Sequence, residues 1–393
     1  MASKDSGLPH PLPEQQFLRS LEPTASASED VGVADPVITS CELIASYNWL
    51  DNASRTIVVP GAPPKWLPPA TLQRLREDSG QYYRDPNAAR YPRWPLAPAV
   101  QSIYALDLNF PSREIDIFCC ASIWGSLLAS VRGEDRTFRF GMHRIANTVF
   151  LVRKPNHPQE LIENVRGYGH TFPEAYTVWP AIVKGSASHQ RIIRYQFGEL
   201  HCLLRFEGDG YLEDQVPEDV KRLLNNKPTG SGASVDDQLG RMNMAERKGT
   251  EHLDDDLVVR LAGTPVPQRA IFDLKTRSSG SAHTVESENF LSRLWTNQTP
   301  NFILARHRRG VFHDIDIDIV DAQDRVQRWE RDNCQSMRLL HTLLKTLVSI
   351  SPEEKWSRLE IRRTGHGNME LWSETNEWAA LPQEMQKMWA RAR

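Results

Sequence analysis

Two short segments carry side chains whose types and spacing suit phosphate chemistry. Glu207 and Asp209 stand two apart in LLRFEGDGY, and Asp273 and Lys275 stand two apart in QRAIFDLKTR. Residues two apart on a strand share a face, so each pair would present both side chains together. Two adjacent carboxylates repel and are costly to bury unless a cation lies between them. Mg²⁺ or Mn²⁺ suits such an all-oxygen set. Asp273 would complete the metal site, and Lys275 would orient an attacking water or offset charge growing on a phosphate. These are the parts that metal-dependent phosphodiester hydrolysis needs. Spacing alone leaves a plainer alternative open: E-x-D and D-x-K also occur on solvated strand faces, where acid–lysine pairs contribute little.

The flanks LLRF and AIF read as buried strands, which is what a positioned site requires. Further strands are expected in FRFGMHRI, NTVFLVRK, RIIRYQFGEL, NFILARHRRG and GVFHDIDIDIVD. The last alternates strictly, with Ile315, Ile317 and Ile319 on one side and Asp314, Asp316 and Asp318 on the other. SENFLSRLWTN opens with a Ser/Glu capping signal for a helix. A long helix is expected from about Asp324 to Ser349, and a last one in LPQEMQKMWARAR. Strands and helices interleave irregularly and without internal repeats. The expected fold is α+β, with central mixed β-sheets flanked by helices.

Residues 1–36 are rich in Pro, Ser, Glu and Asp and read as a disordered tail. Residues 37–393 read as one domain, with a Gly/Ser-rich flexible insertion at about 225–256. VVPGAPPKWLPPA, with five prolines in thirteen residues, reads as an extended segment anchored by Trp66. Apolar content is 40% and charged content 25% over 393 residues, ordinary for a globular protein with a sizeable core. A net charge of −3 gives no global pull toward nucleic acid, so any such contact must be local. Five cysteines without a CxxC pair argue against a disulfide framework, a disulfide-linked partner or a cysteine-held zinc. A reducing intracellular compartment, nuclear or cytoplasmic, is expected. No secretory signal and no membrane-length apolar run is present.

An acidic pair followed on a later strand by D-x-K is the pattern of the PD-(D/E)xK nucleases. The sequence also resembles the DXO-type family of RNA 5′-end decapping and exonuclease proteins, most of all a divergent fungal branch. The likeness runs from about Ile38 to Trp329 on short motifs. Glu207-Gly208-Asp209 looks like the family's E-x-D, and Asp273-Leu274-Lys275 like its E-x-K with aspartate for glutamate. LWTNQTPNFILARHRRG supplies Gln298 for a family glutamine, then Arg308 or Arg309 and Gly310 for its Arg and Gly. The resemblance implies a PD-(D/E)xK nuclease-like core that hydrolyses RNA 5′ ends by decapping or 5′–3′ trimming. Glu207, Asp209 and Asp273 would hold one or two Mg²⁺ or Mn²⁺ ions, with the Leu274 carbonyl as a further ligand and Gln298 orienting the nucleophile.

Two departures stand out. The family's G-x-x-F-E segment reads GYGHTFPEAYT here, so Pro173 holds the glutamate's place and Glu174 is displaced by one; only a bulge at Pro173 would restore it to the metal. The family's phosphate-contacting arginine falls on Ala121 in DIFCCASIWGSLL. Both favour the alternative of a catalytically impaired relative that binds RNA or a protein partner. A third reading is a nuclease recruited to another phosphate ester.

Basic strands in RTFRFGMHR and ARHRRG offer Arg139, Arg144, Arg308 and Arg309 to an RNA backbone, or are ordinary exposed sheet faces. Trp49, Trp66 and Trp94 read as packing anchors rather than base-stacking platforms. The histidines lack ligand spacing. Asp254, Asp255 and Asp256 do not complete the D-D-x-x-D of isoprenoid diphosphate synthases, since residues 258 and 259 are valines. No phosphate-binding Gly-rich loop and no GxSxG elbow occurs.

Overall fold

The computed structural model describes residues 15–22, 35–51, 55–154, 159–225, 247–248, 257–282, 284, 286–350, 358–374 and 378–391. The tail expected over 1–36 lies mostly outside these residues, as do most of 225–256 and all of Asp254, Asp255 and Asp256. Within the stretch read as a tail, Phe17–Leu21 is a strand paired antiparallel with Met369–Ser373.

The larger sheet is centred on the hairpin of Ser186–Phe197 and Leu200–Glu207. Its two-residue loop begins with Gly198 at φ +60°, where a side chain would be strained and would strike His341. Ile38–Leu50 pairs antiparallel with one side of this hairpin and Ile117–Cys120 parallel with the other. Parallel pairing in the register Arg205↔Cys120 brings Glu207 and Ala121 out at the same end of the sheet. Alternation along the hairpin divides the core. Ile193 and Leu204 face the helices Ala121–Val131 and Cys334–Ser349 with Trp124, Leu340 and Leu344, while Ile192 and Leu203 share a second cluster with Val100 and Trp389.

The smaller sheet runs in the order Ile317–Asp321, Asn301–His307, Ile271–Ser278, Gly210–Tyr211, Lys65–Trp66, Thr177–Val178. The proline run feeds Lys65–Trp66 into it, and Trp66 is held among Phe172, Tyr176 and Phe272. Both sheets mix parallel and antiparallel pairs and carry flanking helices, so the α+β class read from the sequence is the fold of the chain.

Local readings fail in three places. GVFHDIDIDIVD is a strand only over Ile317–Asp321; Asp314–Asp316 forms a 3₁₀ turn with Ile315 89% exposed, and among the described residues no strand pairs with it. The long helix breaks at Asn333 into Gln323–Asp332 and Cys334–Ser349. Ser287 stands at the N-cap of Glu288–Asn297, but its hydroxyl accepts from the Thr284 N–H rather than from the helix. All five cysteines are free. Among the described residues, no helix is long and apolar enough to cross a membrane.

Candidate functional site

The acids meet where the chain crosses from one sheet to the other. Glu207 ends its strand in the larger sheet, opposite Gln190. Asp209 precedes Gly210–Tyr211 of the smaller sheet, so the pair does not share one strand as the spacing suggested. Gly210 pairs with Phe272 and Tyr211 with Ile271, which sets Asp209 beside Asp273. This approach needs glycine: a Cβ at Gly210 would lie 2.2 Å from the Phe272 ring and 2.8 Å from the Pro64 carbonyl oxygen.

Close contacts then tie the motif together. The Leu274 N–H donates to Asp209 Oδ2 at 2.8 Å. Lys275 Nζ lies 2.9 Å from Asp273 Oδ1 and 3.9 Å from Asp209 Oδ2, and donates to the Leu274 carbonyl at 2.9 Å. Asp273 and Lys275 thus share a strand face, as period two requires. A residue with no place in the sequence reading joins them. Arg293, on the helix Glu288–Asn297, donates through Nε to Asp273 Oδ2 and holds Nη2 3.9 Å from Asp209 Oδ1.

The charges respond accordingly. Burial would raise the Asp273 carboxyl, but Arg293 and Lys275 beside it hold it below the ordinary carboxylate range. Asp209 is raised by burial and by the Asp273 charge, against the pull of Lys275 and Arg293. Glu207 faces the open cleft, yet the protein crowded around that cleft pushes its carboxyl up to about 7, with Asp209 adding to the rise. Arg293 is raised, chiefly by Asp273.

A cleft of about 500 Å³ opens over this cluster. Among the described residues, Arg84, Arg132, Arg136, Arg153, Arg205 and Arg293 line it against the carboxylates of Asp85, Glu134 and Glu207. Asp209, Asp273 and Lys275 do not line it; Arg293, which contacts both aspartates, does. Ala121 does line it, at the place where the resemblance called for an arginine.

The remaining expected residues lie elsewhere. Gln298 is the left-handed C-cap of its helix, at φ 49°, and its amide returns to the Trp295 carbonyl. The adjacent Asn297 lines the cleft instead, with Oδ1 buried and unpaired. Glu174 is exposed on the short helix Thr171–Tyr176, so no strand bulge at Pro173 brings it to the acids. Arg139 is bound to buried Glu360 at 2.7 Å. Arg144 donates to the Val348 and Ile350 carbonyls at a helix end. Neither basic strand residue is therefore offered to a backbone in the cleft. Arg308 and Arg309 are exposed on the turn after Asn301–His307. Arg308 is four residues past Leu304, the register partner of Lys275, or about 13 Å along the strand.

A signal for the missed residues was present. Asn289, Ser292, Arg293, Thr296 and Asn297 form a polar stripe along the cleft, while Phe290, Leu291, Leu294 and Trp295 are buried. Helical spacing separates the two faces.

The donor set does not fit a divalent ion as arranged. Asp209 Oδ2 accepts from Leu274, Asp273 Oδ2 from Arg293, and the Leu274 carbonyl from Lys275. Asp273 Oδ1 accepts no hydrogen bond but has Lys275 Nζ 2.9 Å away. Two aspartates are already balanced by two cations. Among the described residues, no group of three His, Cys, Asp or Glu side chains is placed to hold a metal ion.

A family model described as a domain of unknown function (DUF8563) matches residues 26–389. No curated protein matches the sequence. Solved structures do match the fold. Scheffersomyces stipitis Rai1, in complex with 3′-NADP⁺ and calcium, has a TM-score of 0.58 at 10% identity over 97% of this chain and 100% of its own. Candida albicans Rai1, in complex with pU5 and Mn²⁺, has a TM-score of 0.57 at 10% identity over 95% and 99%. S. pombe Rai1, in complex with 3′-FADP, has a TM-score of 0.52 at 11% identity over 88% and 98%. These neighbours are fungal DXO-family proteins, so the likeness first carried by short motifs is matched by the fold.

Proposed function

The chain belongs to the DUF8563 family of unknown function, and from that starting point we propose that it binds the 5′ end of RNA in its arginine-lined cleft. The carrying observation is the cleft charge: six arginines against three carboxylates, on a protein whose net charge is −3. A chain with no global excess of positive charge that concentrates arginine in one concavity selects a polyanion there. Arginine's planar fork suits phosphate oxygens in pairs. The fold likeness supports a nucleotide occupant, since the neighbouring Rai1 structures hold 3′-NADP⁺, 3′-FADP or pU5.

Hydrolysis of that end, by decapping or 5′–3′ trimming, is the finer reading that E-x-D and D-x-K support. It rests on Glu207, Asp209 and Asp273 taking Mg²⁺ or Mn²⁺, which the present donor set does not admit. The silent RNA-binding reading is favoured by Ala121 in the cleft and Glu174 outside it.

Fluorescence anisotropy with short RNAs bearing a 5′-monophosphate, 5′-triphosphate or 5′-hydroxyl tests the proposal. Phosphorylated ends should bind more tightly, and log affinity should fall with log salt by about 0.7 for each phosphate engaged. Equal, salt-insensitive binding of all three would refute it. Cap release from labelled RNA, with and without Mn²⁺, separates the hydrolytic from the silent form.

A further inference from the structure

We infer that Arg293 is a tethered cation that takes the place of a divalent ion between Asp209 and Asp273, and that the two aspartates load no such ion while it is there. Three observations carry this, none of which depends on RNA binding. First, the guanidinium reaches both carboxylates at once, donating from Nε to Asp273 Oδ2 and lying 3.9 Å from Asp209 Oδ1. Second, with Lys275 on the other side, two formal negative charges already face two positive ones. A divalent ion between the two aspartates would sit against two cations at contact range. Third, Arg293 lines the cleft while Asp273, 5% exposed, does not, so the guanidinium is the group of this pair that an ion entering by the cleft meets.

The arm is held in place by its helix. Leu291, Leu294 and Trp295 are buried in the core, and the Trp295 indole N–H donates to Glu330 Oε1 at 2.7 Å. With the backbone of residue 293 thus anchored, arginine's length and fork span both acids. Two carboxylates close enough to need a cation have one supplied by the chain itself.

Isothermal titration of Mn²⁺ into the wild type, Arg293→Gln and Arg293→Gln/Asp273→Asn tests the inference without any RNA. The wild type should show no saturable site in the range where Arg293→Gln gains one, with affinity improved at least about tenfold. The double variant should lose that site again. Circular dichroism checks folding, and Arg293→Met, which keeps much of the stem's bulk, replaces the glutamine variant if that one unfolds. A Mn²⁺-dependent rise in thermal midpoint should follow the same order among the variants. One tight Mn²⁺ site in the wild type would overturn the inference, and so would no gain in the Arg293 variants.

Discussion

Arg293 and Asp273, 20 residues apart in the chain, are joined Nε to Oδ2 at the base of the cleft. Asp273 is 5% exposed and Arg293 42% exposed. The acid therefore depends on the pair more than the arginine does. Removing the arginine leaves a buried carboxylate with Lys275 as its remaining charged partner.

Arg293→Ala should lower folding stability by about 1–3 kcal/mol, less than the loss of a sole partner to a buried charge would cost. The midpoint of urea unfolding reads this directly. An unchanged midpoint would mean that the pair contributes nothing in solution.

Glu360, fully buried, gathers Arg139 at 2.7 Å, Arg362 at 2.5 Å and Lys154 at 3.2 Å. Glu360→Gln leaves Arg139 and Arg362 facing one another, with Lys154 kept by Glu374, and should cost about 3–5 kcal/mol. Arg139→Ala should leave RNA affinity unchanged, since its side chain is bound to Glu360 outside the cleft. A drop in affinity comparable to that from an alanine substitution at Arg153 would restore Arg139 to the RNA-binding set.

His143 is buried, with Nδ1 accepting from the Ala380 N–H at 3.1 Å. Burial, with the nearby Arg358 charge, lowers its pKa to about 4. Folding thus favours the neutral ring. That contribution is complete above the unfolded value of about 6.5 and is lost as pH falls toward 4. The His143 ring resonances should keep their neutral positions at pH 5.5 in an NMR titration. A midpoint near 6.5 would show that the ring is not held this way.

Gly210→Ala should destabilise the protein by about 1–3 kcal/mol, because the new methyl meets Phe272 and Pro64 with no room to yield. The same shift would spoil the Asp209–Leu274 hydrogen bond. Equal urea midpoints for variant and wild type would show that the neighbouring strands of the smaller sheet can part locally at no cost.

Ala121→Arg adds a guanidinium to the cleft at the position where the DXO-type resemblance expects one. It should tighten binding of 5′-phosphorylated RNA about tenfold, the worth of one charge-assisted contact. Anisotropy titrations of wild type and variant measure it. Unchanged affinity would place the RNA phosphates away from Ala121.

Much of the fold was legible because strands announce themselves locally. FRFGMHRI, TVFLVR and IFDLKTRS alternate or bury continuously within a few residues, and the structure shows strands there. The acidic string Asp314–Asp318 misled for the same reason: alternation marks an amphipathic strip, but whether the strip becomes a strand depends on a partner, which only Ile317–Asp321 finds. Gln298 misled by adjacency, since one residue at a helix end separates a side chain aimed into the cleft from one turned back on its own backbone.

By itself the sequence determined the α+β class and pointed to Glu207, Asp209, Asp273 and Lys275 as a candidate group, because residue spacing and apolar flanks are local properties of the chain. Only the tertiary structure decided that Glu207 ends a strand of the larger sheet while Asp209 leads into the smaller one, that Ala121 faces the cleft and that Arg293 rather than Gln298 meets the acids. Those are contacts between segments brought together by packing. A charge finds its partner through space, and no spacing along the chain records which helix will supply it.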